Sequence, residues 1–297
     1  FTIAPNPFLT ISDLANKLKH VRLGTGTIIA PFWHPIKLAG ESAMTDLITS
    51  GRLELGIARG AYSFEYERLM PGMDAWEAGQ RLREIIPAIR ELWKGDYSHE
   101  GEFYSFPKST STPKPLQQNG PPIWIAARDP NSHEFAINNS CNVQVTPLWQ
   151  DYNEVQDLIM KFNSAKKKCN PQSHSKIMLL QHTYVSDEQN ELDEAAKKFS
   201  EFYAHFGAWF QNQRPVNQAS IKKLSSKELS LLDMYAPEKM KKNLLFGTID
   251  EVTSRLKDYE KLGYDEFSYW IDSGMSYDEK VSSLNNFIQR VMPAFKS

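Results

Sequence analysis

The chain has 297 residues, of which 41% are hydrophobic and 24% charged, and its formal net charge is -2. A nearly neutral chain without a basic stripe of interleaved aromatic residues does not resemble a nucleic-acid-binding protein. No apolar run approaches the ~18 residues of a membrane span, and no signal-peptide pattern opens the chain. The two cysteines, Cys141 and Cys169, are too few for a disulfide framework. These features predict a cytoplasmic globular protein that binds neither nucleic acid nor membrane.

Helical and strand-like patterns alternate from the first residues onward. Apolar residues at helical spacing predict helices over Phe8–His20, Ile36–Ile48, Trp76–Trp93, Val155–Lys168, Asp187–Trp209 and Tyr277–Val291, with others starting at Asp129 and Thr248. Short apolar runs rich in β-branched residues predict strands over Val21–Ile29, Leu53–Ala58, Pro121–Ala127, Cys141–Pro147, Lys176–Val185 and Glu266–Ile271.

Six strands separated by helices indicate a parallel α/β fold in a single domain over residues 1–297. The alternation does not distinguish a closed barrel from an open sheet. The segment Tyr97–Pro107 alternates as a surface hairpin would. The segment Gly207–Lys242 is polar, has no clear period and interrupts the alternation, so we expect a surface excursion that serves as a lid.

The buried strand Leu53–Ala58 ends directly at Arg59, which Gly60 and Ala61 follow. Ligands bind at the carboxyl edge of parallel α/β sheets, and a guanidinium beside a flexible glycine suits a phosphate. The alternative is that Arg59 pairs with a neighbouring carboxylate. The strand pattern alone favours neither interpretation.

A second anion-friendly position follows the strand Pro121–Ala127. Arg128, Asn131 and Ser132 stand at a predicted helix start, where free N–H groups and the helix dipole attract anions. The alternative is that Asp129 caps this helix with Pro130 at its first position, an arrangement that needs no ligand.

Other common catalytic patterns are absent from the sequence. The seven histidines show no metal-binding spacing, and we therefore expect no metal site. No nucleophile elbow, P-loop or dinucleotide-binding glycine motif occurs. His182 is a weak candidate for a catalytic side chain near a strand end, although a hydrogen-bonded core histidine is the more common role for such a residue.

Five segments occur in an order that is typical of one protein family. They are Gly24–Pro35 (GTGTIIAPFWHP), Ser50–Tyr62 (SGRLELGIARGAY), Pro122–Ala127 (PIWIAA), Gly247–Glu251 (GTIDE) and Val291–Phe295 (VMPAF). Each is weak alone, but together they span essentially the whole chain. The chain resembles the bacterial luciferase-like flavin monooxygenases.

The resemblance implies a (β/α)8 TIM barrel, of which this chain carries six of the eight strands, with a long excursion after the seventh. It also implies reduced FMN at the C-terminal mouth of the barrel. The phosphate would lie on Arg59, Gly60 and Ala61, and near Arg128, Asn131 and Ser132. Gly26 and Thr27 would form the non-prolyl cis peptide that the family places beneath the flavin ring.

The resemblance further implies a two-component mechanism. A separate reductase delivers reduced FMN, O₂ forms a C4a-hydroperoxide on it, and a small organic substrate such as an aldehyde or ketone is oxidised. A dry pocket protects the adduct. The pocket candidates are Trp33, His34, Trp149, His182 and Trp270. A homodimer formed through the helices Phe8–His20 and Ile36–Ile48 is also implied.

The family's catalytic histidine belongs to a Glu-His-His motif that would precede Phe1, so we expect a further N-terminal β-α-β segment in the native protein. Members with a reactive cysteine carry it where Ala58 stands here. Two alternatives remain open. One is hydride transfer from a deazaflavin within the same superfamily, and the other is flavin binding without catalysis.

Overall fold

The structure is a computed structural model that describes residues 6–211, 214–218, 220–271 and 274–295. The chain divides into two units. The first comprises Phe1–Val143 with Lys168–Ser175, and the second comprises Gln144–Lys167 with Lys176–Ser297. Strand β7 (Asn142–Val145) and helix α6 (Tyr152–Cys169) carry residues of both units. The single-domain organisation stays a prediction.

Helices and strands alternate in the first unit. Its helices are α1 (Pro7–Lys17), α2 (Pro35–Ile48), α3 (Ser63–Leu69), α4 (Ala75–Lys94) and α5 (Pro130–Asn138). Its strands are β1 (Leu23–Gly24), β2 (Ile28–Ile29), β3 (Leu53–Ala58), β4 (Asp96–Glu100), β5 (Ser105–Thr110) and β6 (Ile123–Ala126).

Strand β3 is the centre of the parallel sheet in the first unit. It pairs with β1 and β2 on one side and with β6 on the other, and every pairing is parallel. Leu53, Leu55 and Ile57 are fully buried, as expected for an apolar strand that is covered on both faces. Because the strands are parallel, the carboxyl ends of β2, β3 and β6 lie at one edge.

The predicted hairpin is present as the antiparallel pair β4 and β5. Glu84 of α4 anchors its turn by accepting hydrogen bonds from the backbone N–H groups of Phe103 and Tyr104 at 3.0 and 2.9 Å. His99 of β4 contacts the same carboxylate at 2.9 Å. Although burial acts to raise the pKa of Glu84, these hydrogen bonds lower it below its ordinary value.

The second unit also alternates, apart from one excursion. Its remaining helices are α7 (Gln189–Phe210), α8 (Ser226–Ser230), α9 (Pro237–Asn243), α10 (Ile249–Leu262) and α11 (Tyr277–Asn286). Its strands are β8 (Ile177–Val185), β9 (Val216–Asn217), β10 (Ser220–Ile221), β11 (Leu245–Gly247) and β12 (Glu266–Trp270).

Strand β8 organises the second unit. Its last three residues, Thr183–Val185, pair in parallel with β11, and Met178–His182 pair in parallel with β12. Helix α7 packs beside these strands through buried aromatic residues such as Phe199 and Tyr203. The parallel α/β architecture predicted from the sequence is therefore present in each unit.

Helix α10 carries the capping signal that its sequence predicts. The Thr248 side chain accepts the N–H of Glu251, and the Glu251 side chain accepts the N–H of Thr248 at 2.8 Å. Gly263 ends the helix in the left-handed region, at φ 104°. Both ends of α10 are thus satisfied by local residues.

We expect Thr248→Ala to lower the free energy of unfolding by about 1 kcal/mol, because it removes the acceptor for the Glu251 N–H. Chemical denaturation measures this change. Thr248→Ser is the matched control and should retain most of the stability, since its hydroxyl can cap the helix. An equal loss in both variants would assign the effect to the threonine methyl group.

Four features differ from the sequence prediction. Helix α3 and strand β11 were not predicted, and both are too short to show a clear period. The excursion contains the hairpin of β9 with β10 and the short helices α8 and α9. The first predicted strand is divided into β1 and β2, and between them Thr25 donates its hydroxyl hydrogen to the Gly56 carbonyl at 2.7 Å.

Candidate active site

Arg59 leaves the carboxyl end of β3 with an exposed side chain. Its guanidinium donates a hydrogen bond from Nη1 to the Ala75 carbonyl at 3.3 Å and also interacts with the Tyr66 hydroxyl. Within the described part of the chain Arg59 forms no ion pair, so the alternative of a structural carboxylate partner is not supported. A cation held at a strand end, with donors not used by a carboxylate, suits a bidentate oxyanion such as phosphate.

Gly60 makes a turn that other residues would not fit. Its φ is 94°, in the left-handed region. A Cβ built on Gly60 would lie 3.1 Å from Ile29 Cγ2 and 3.1 Å from the Tyr66 ring and hydroxyl. The Tyr66 hydroxyl also donates a hydrogen bond to the Arg59 carbonyl at 3.1 Å. The turn is therefore packed closely between β2 and α3.

The peptide bond between Gly26 and Thr27 is cis, as the family resemblance predicted. The two residues directly precede β2, whose Ile28 and Ile29 lie beside Ile57 and Ala58 of β3. A Cβ built on Gly26 would have no described atom within 4 Å. Open space next to the backbone at Gly26 leaves room for a ligand to approach.

Arg128, Asn131 and Ser132 follow β6, which pairs with β3 at the same sheet edge. The Asp129 carboxylate accepts the Ser132 N–H at 2.9 Å and so caps α5. Burial acts to raise the pKa of Asp129, but its hydrogen bonds with Ser132 hold it below the ordinary value. The start of α5 is therefore capped by Asp129, as the alternative interpretation predicted. A role of Arg128, Asn131 and Ser132 in phosphate binding stays a prediction.

His182 lies fully buried in the second unit. Its Nδ1 is hydrogen-bonded to the Tyr203 hydroxyl at 2.5 Å, and its ring stacks on Trp270 with 3.9 Å between centroids. Burial strongly raises the pKa of Tyr203. Trp149 packs against Tyr203 and Tyr235. These contacts are those of a hydrogen-bonded histidine in the core, which was the alternative for His182. A catalytic role of this residue stays a prediction.

Trp33 and His34 lie at the start of α2 in the first unit. They line a cleft of about 330 Å³ together with Arg81 and Tyr104. His34 accepts the N–H of Ile36 at 3.3 Å and so caps α2. Of the five pocket candidates, these two therefore line a cavity in their own unit. In the second unit His182 stacks on Trp270, and the partly buried Trp149 packs against the hydrophobic core.

Metal-ligand clusters and membrane-spanning helices are both absent from residues 6–211, 214–218, 220–271 and 274–295. No three histidine, cysteine or acidic side chains cluster there as metal ligands would. No helix in those ranges has the length and apolar composition needed to cross a bilayer.

The profile of the family described as Luciferase-like monooxygenase matches residues 1–266. The chain belongs to the luciferase-like monooxygenase family. It is 63% identical over 295 residues to the oxygenase component of the flavin-dependent trigonelline monooxygenase of Acinetobacter baylyi. That match covers 99% of this chain and 82% of the relative.

Two solved structures show the fold of this luciferase-like chain. The monooxygenase RslO1 from Streptomyces bottropensis superposes with a TM-score of 0.78 at 26% identity, covering 99% of this chain and 84% of that one. The oxygenating constituent of 3,6-diketocamphane monooxygenase from Pseudomonas putida, in complex with FMN, has a TM-score of 0.73 at 18% identity. It covers 97% of this chain and 84% of that one.

These matches confirm the luciferase-like fold and the prediction of a flavin-dependent monooxygenase. The site residues carried over from the family resemblance remain untested by the matches. One residue at the candidate site, Tyr66, was missed because α3 was not predicted. Within the seven residues of this helix the apolar side chains repeat too few times to have indicated it from the sequence.

Proposed function

We propose that this chain is the oxygenase component of a two-component monooxygenase and that it binds reduced FMN through Arg59. The observation that carries the proposal is the exposed Arg59 guanidinium at the end of β3, which forms no ion pair among the described residues. Parallel α/β enzymes bind phosphate groups of their ligands at this edge.

The residues around Arg59 fit such a cofactor. The guanidinium would hold the phosphate, assisted by backbone N–H groups of Gly60 and Ala61. The open space at Gly26 would accept part of the flavin. When bound, reduced FMN supplies the two electrons with which one atom of O₂ enters the substrate and the other leaves as water. The protein's own part is to anchor the phosphate and exclude water.

The proposed partners follow from the same relative. The name of the relative, an oxygenase component, supports a separate reductase that supplies reduced FMN. Apolar side chains exposed on and beside α1 and α2 support a homodimer, among them Leu9, Leu18, Met44, Leu47 and Ile48. A cytoplasmic location completes the proposal.

Trigonelline is the substrate that we propose, in place of the simple aldehydes or ketones suggested by the wider family. The support is the 63% identity over 99% of this chain with a trigonelline monooxygenase component. Trigonelline is N-methylnicotinate, a flat aromatic zwitterion. Its pyridinium ring is electron-poor and is therefore open to attack by an oxygen nucleophile.

The test measures oxygen consumption by the purified protein with reduced FMN from an added flavin reductase. We expect ¹⁸O from ¹⁸O₂ in a product that forms only when trigonelline is present, since free reduced FMN consumes O₂ even without a substrate. Decanal and cyclohexanone are the substrate controls, and a reduced deazaflavin replaces FMN in the cofactor control. Absence of label in every product would contradict the monooxygenase proposal, and label only with decanal or cyclohexanone would contradict the substrate.

A further inference from the structure

We propose that Tyr66 is a positioning residue that fixes the phosphate-binding turn Arg59–Ala61 through its hydroxyl group. The inference rests on the proposed function, since it concerns the same turn. The ring of Tyr66 lies on α3, outside the segments that carry the family resemblance. Its hydroxyl donates to the Arg59 carbonyl at 3.1 Å.

The contact is buried and held from several sides. Tyr66 is 3% exposed and packs in a small cluster with Met73 and Ala78. Phe32 meets its ring edge-to-face, with 6.2 Å between centroids. The ring also lies close to Gly60, where an added Cβ would be 3.1 Å from the Tyr66 ring and hydroxyl. The hydroxyl therefore has little freedom to leave the Arg59 carbonyl.

The geometry of the peptide group links this contact to anion binding. The Arg59 carbonyl and the Gly60 N–H belong to one planar peptide unit, which is trans, so they point in opposite directions. Because Tyr66 holds the carbonyl on the α3 side, the Gly60 N–H is turned away from α3. An oriented backbone N–H group in the same turn as an arginine suits the binding of a phosphate.

The protonation state of Tyr66 suits this role. Burial raises its pKa above the ordinary value, although the Arg59 charge opposes the shift. The phenol therefore stays protonated at neutral pH and remains a donor. Without the hydroxyl, the ring would still fill its site, but the peptide unit would lose the partner that orients it.

The experiment compares the affinities of Tyr66→Phe for FMN and for riboflavin, which lacks the phosphate. Titration by flavin fluorescence gives both dissociation constants without requiring turnover. We expect the constant for FMN to rise about three- to tenfold, as for loss of one hydrogen bond. The constant for riboflavin should change less than twofold. Tyr264→Phe, which removes a buried hydroxyl that donates to the Val155 carbonyl at 2.7 Å, is the matched control and should change neither constant.

Gly60→Ala is the second variant, since its added methyl group presses on the Tyr66 ring from the turn. It should also weaken FMN binding more than riboflavin binding. Equal weakening of both ligands by Tyr66→Phe would indicate general damage to the fold and would overturn the proposal. An unchanged FMN constant in Tyr66→Phe would also overturn it.

Failure of the proposed function gives a different result. If Arg59→Gln abolishes the preference for FMN over riboflavin but Tyr66→Phe does not reduce it, only the role of Tyr66 is wrong. If Arg59→Gln retains the full preference, the phosphate does not bind at this turn, and both proposals fail.

Discussion

Replacing Arg59 with glutamine is expected to weaken FMN binding about ten- to a hundredfold and to leave riboflavin binding unchanged. Hydrogen bonds to charged groups contribute roughly 1.5–3 kcal/mol, which corresponds to about this range. The lower half of the range is the better expectation, because the Arg59 side chain is exposed and solvent screens its charge. Fluorescence titration with both flavins measures the difference.

Arg68→Gln is the matched control for Arg59. Arg68 lies on α3, in the same unit, and its guanidinium contacts the Phe64 carbonyl at 2.7 Å and the Phe64 ring. We expect no change in FMN affinity for this variant. Arg59→Lys should fall between wild type and Arg59→Gln, because lysine keeps the charge and loses the planar fork. Equal effects at both arginines would point to overall charge as the cause.

Replacing Leu55 with alanine is expected to lower the free energy of unfolding by about 2–5 kcal/mol. Leu55 is fully buried in β3, and its N–H donates to the Pro122 carbonyl at 2.8 Å. Truncation would leave a cavity beneath the strand that carries Arg59. Chemical denaturation with an unchanged m-value would assign the loss to stability and not to compactness.

Leu116→Ala is the control for Leu55. Leu116 belongs to the same unit and is 56% exposed. Its truncation should cost about 0.5 kcal/mol or less. If Leu116→Ala lowered the free energy of unfolding as much as Leu55→Ala, burial in β3 would not explain the effect of the Leu55 variant.

The sequence predicted strand β3 with its observed bounds because the signals for this strand lie in its own residues and in those next to it. Leu53, Leu55 and Ile57 alternate with other residues, and Ser50–Gly51 before the strand marks a turn. Helix α10 was also predictable from its capping residues. Helix α3 and strand β11 could not be predicted. They have only seven and three residues, which are too few to show a hydrophobic period, and elements this short depend on tertiary contacts.

The candidate site likewise contains features that the sequence predicts and features that depend on tertiary contacts. The position of Arg59 at a strand end follows from the chain order of apolar and charged residues. The hydrogen bond from Tyr66 to the Arg59 carbonyl depends on how α3 folds back, and no spacing in the sequence encodes that. At α5 the sequence left phosphate binding and capping open, and the carboxylate of Asp129 was found to cap the helix.

The pairing of β8 with β11 indicates where this chain tolerates changes in length. Its end pairs with β11, and the whole of α7, the excursion and α9 lies between the two partners. The entropy of closing such a long connection grows slowly, by about 0.6 kcal/mol for each doubling of its length. Insertions or deletions in the polar part of the excursion would therefore cost the second unit little stability. This segment can diverge among relatives while β8 and its partners keep their register.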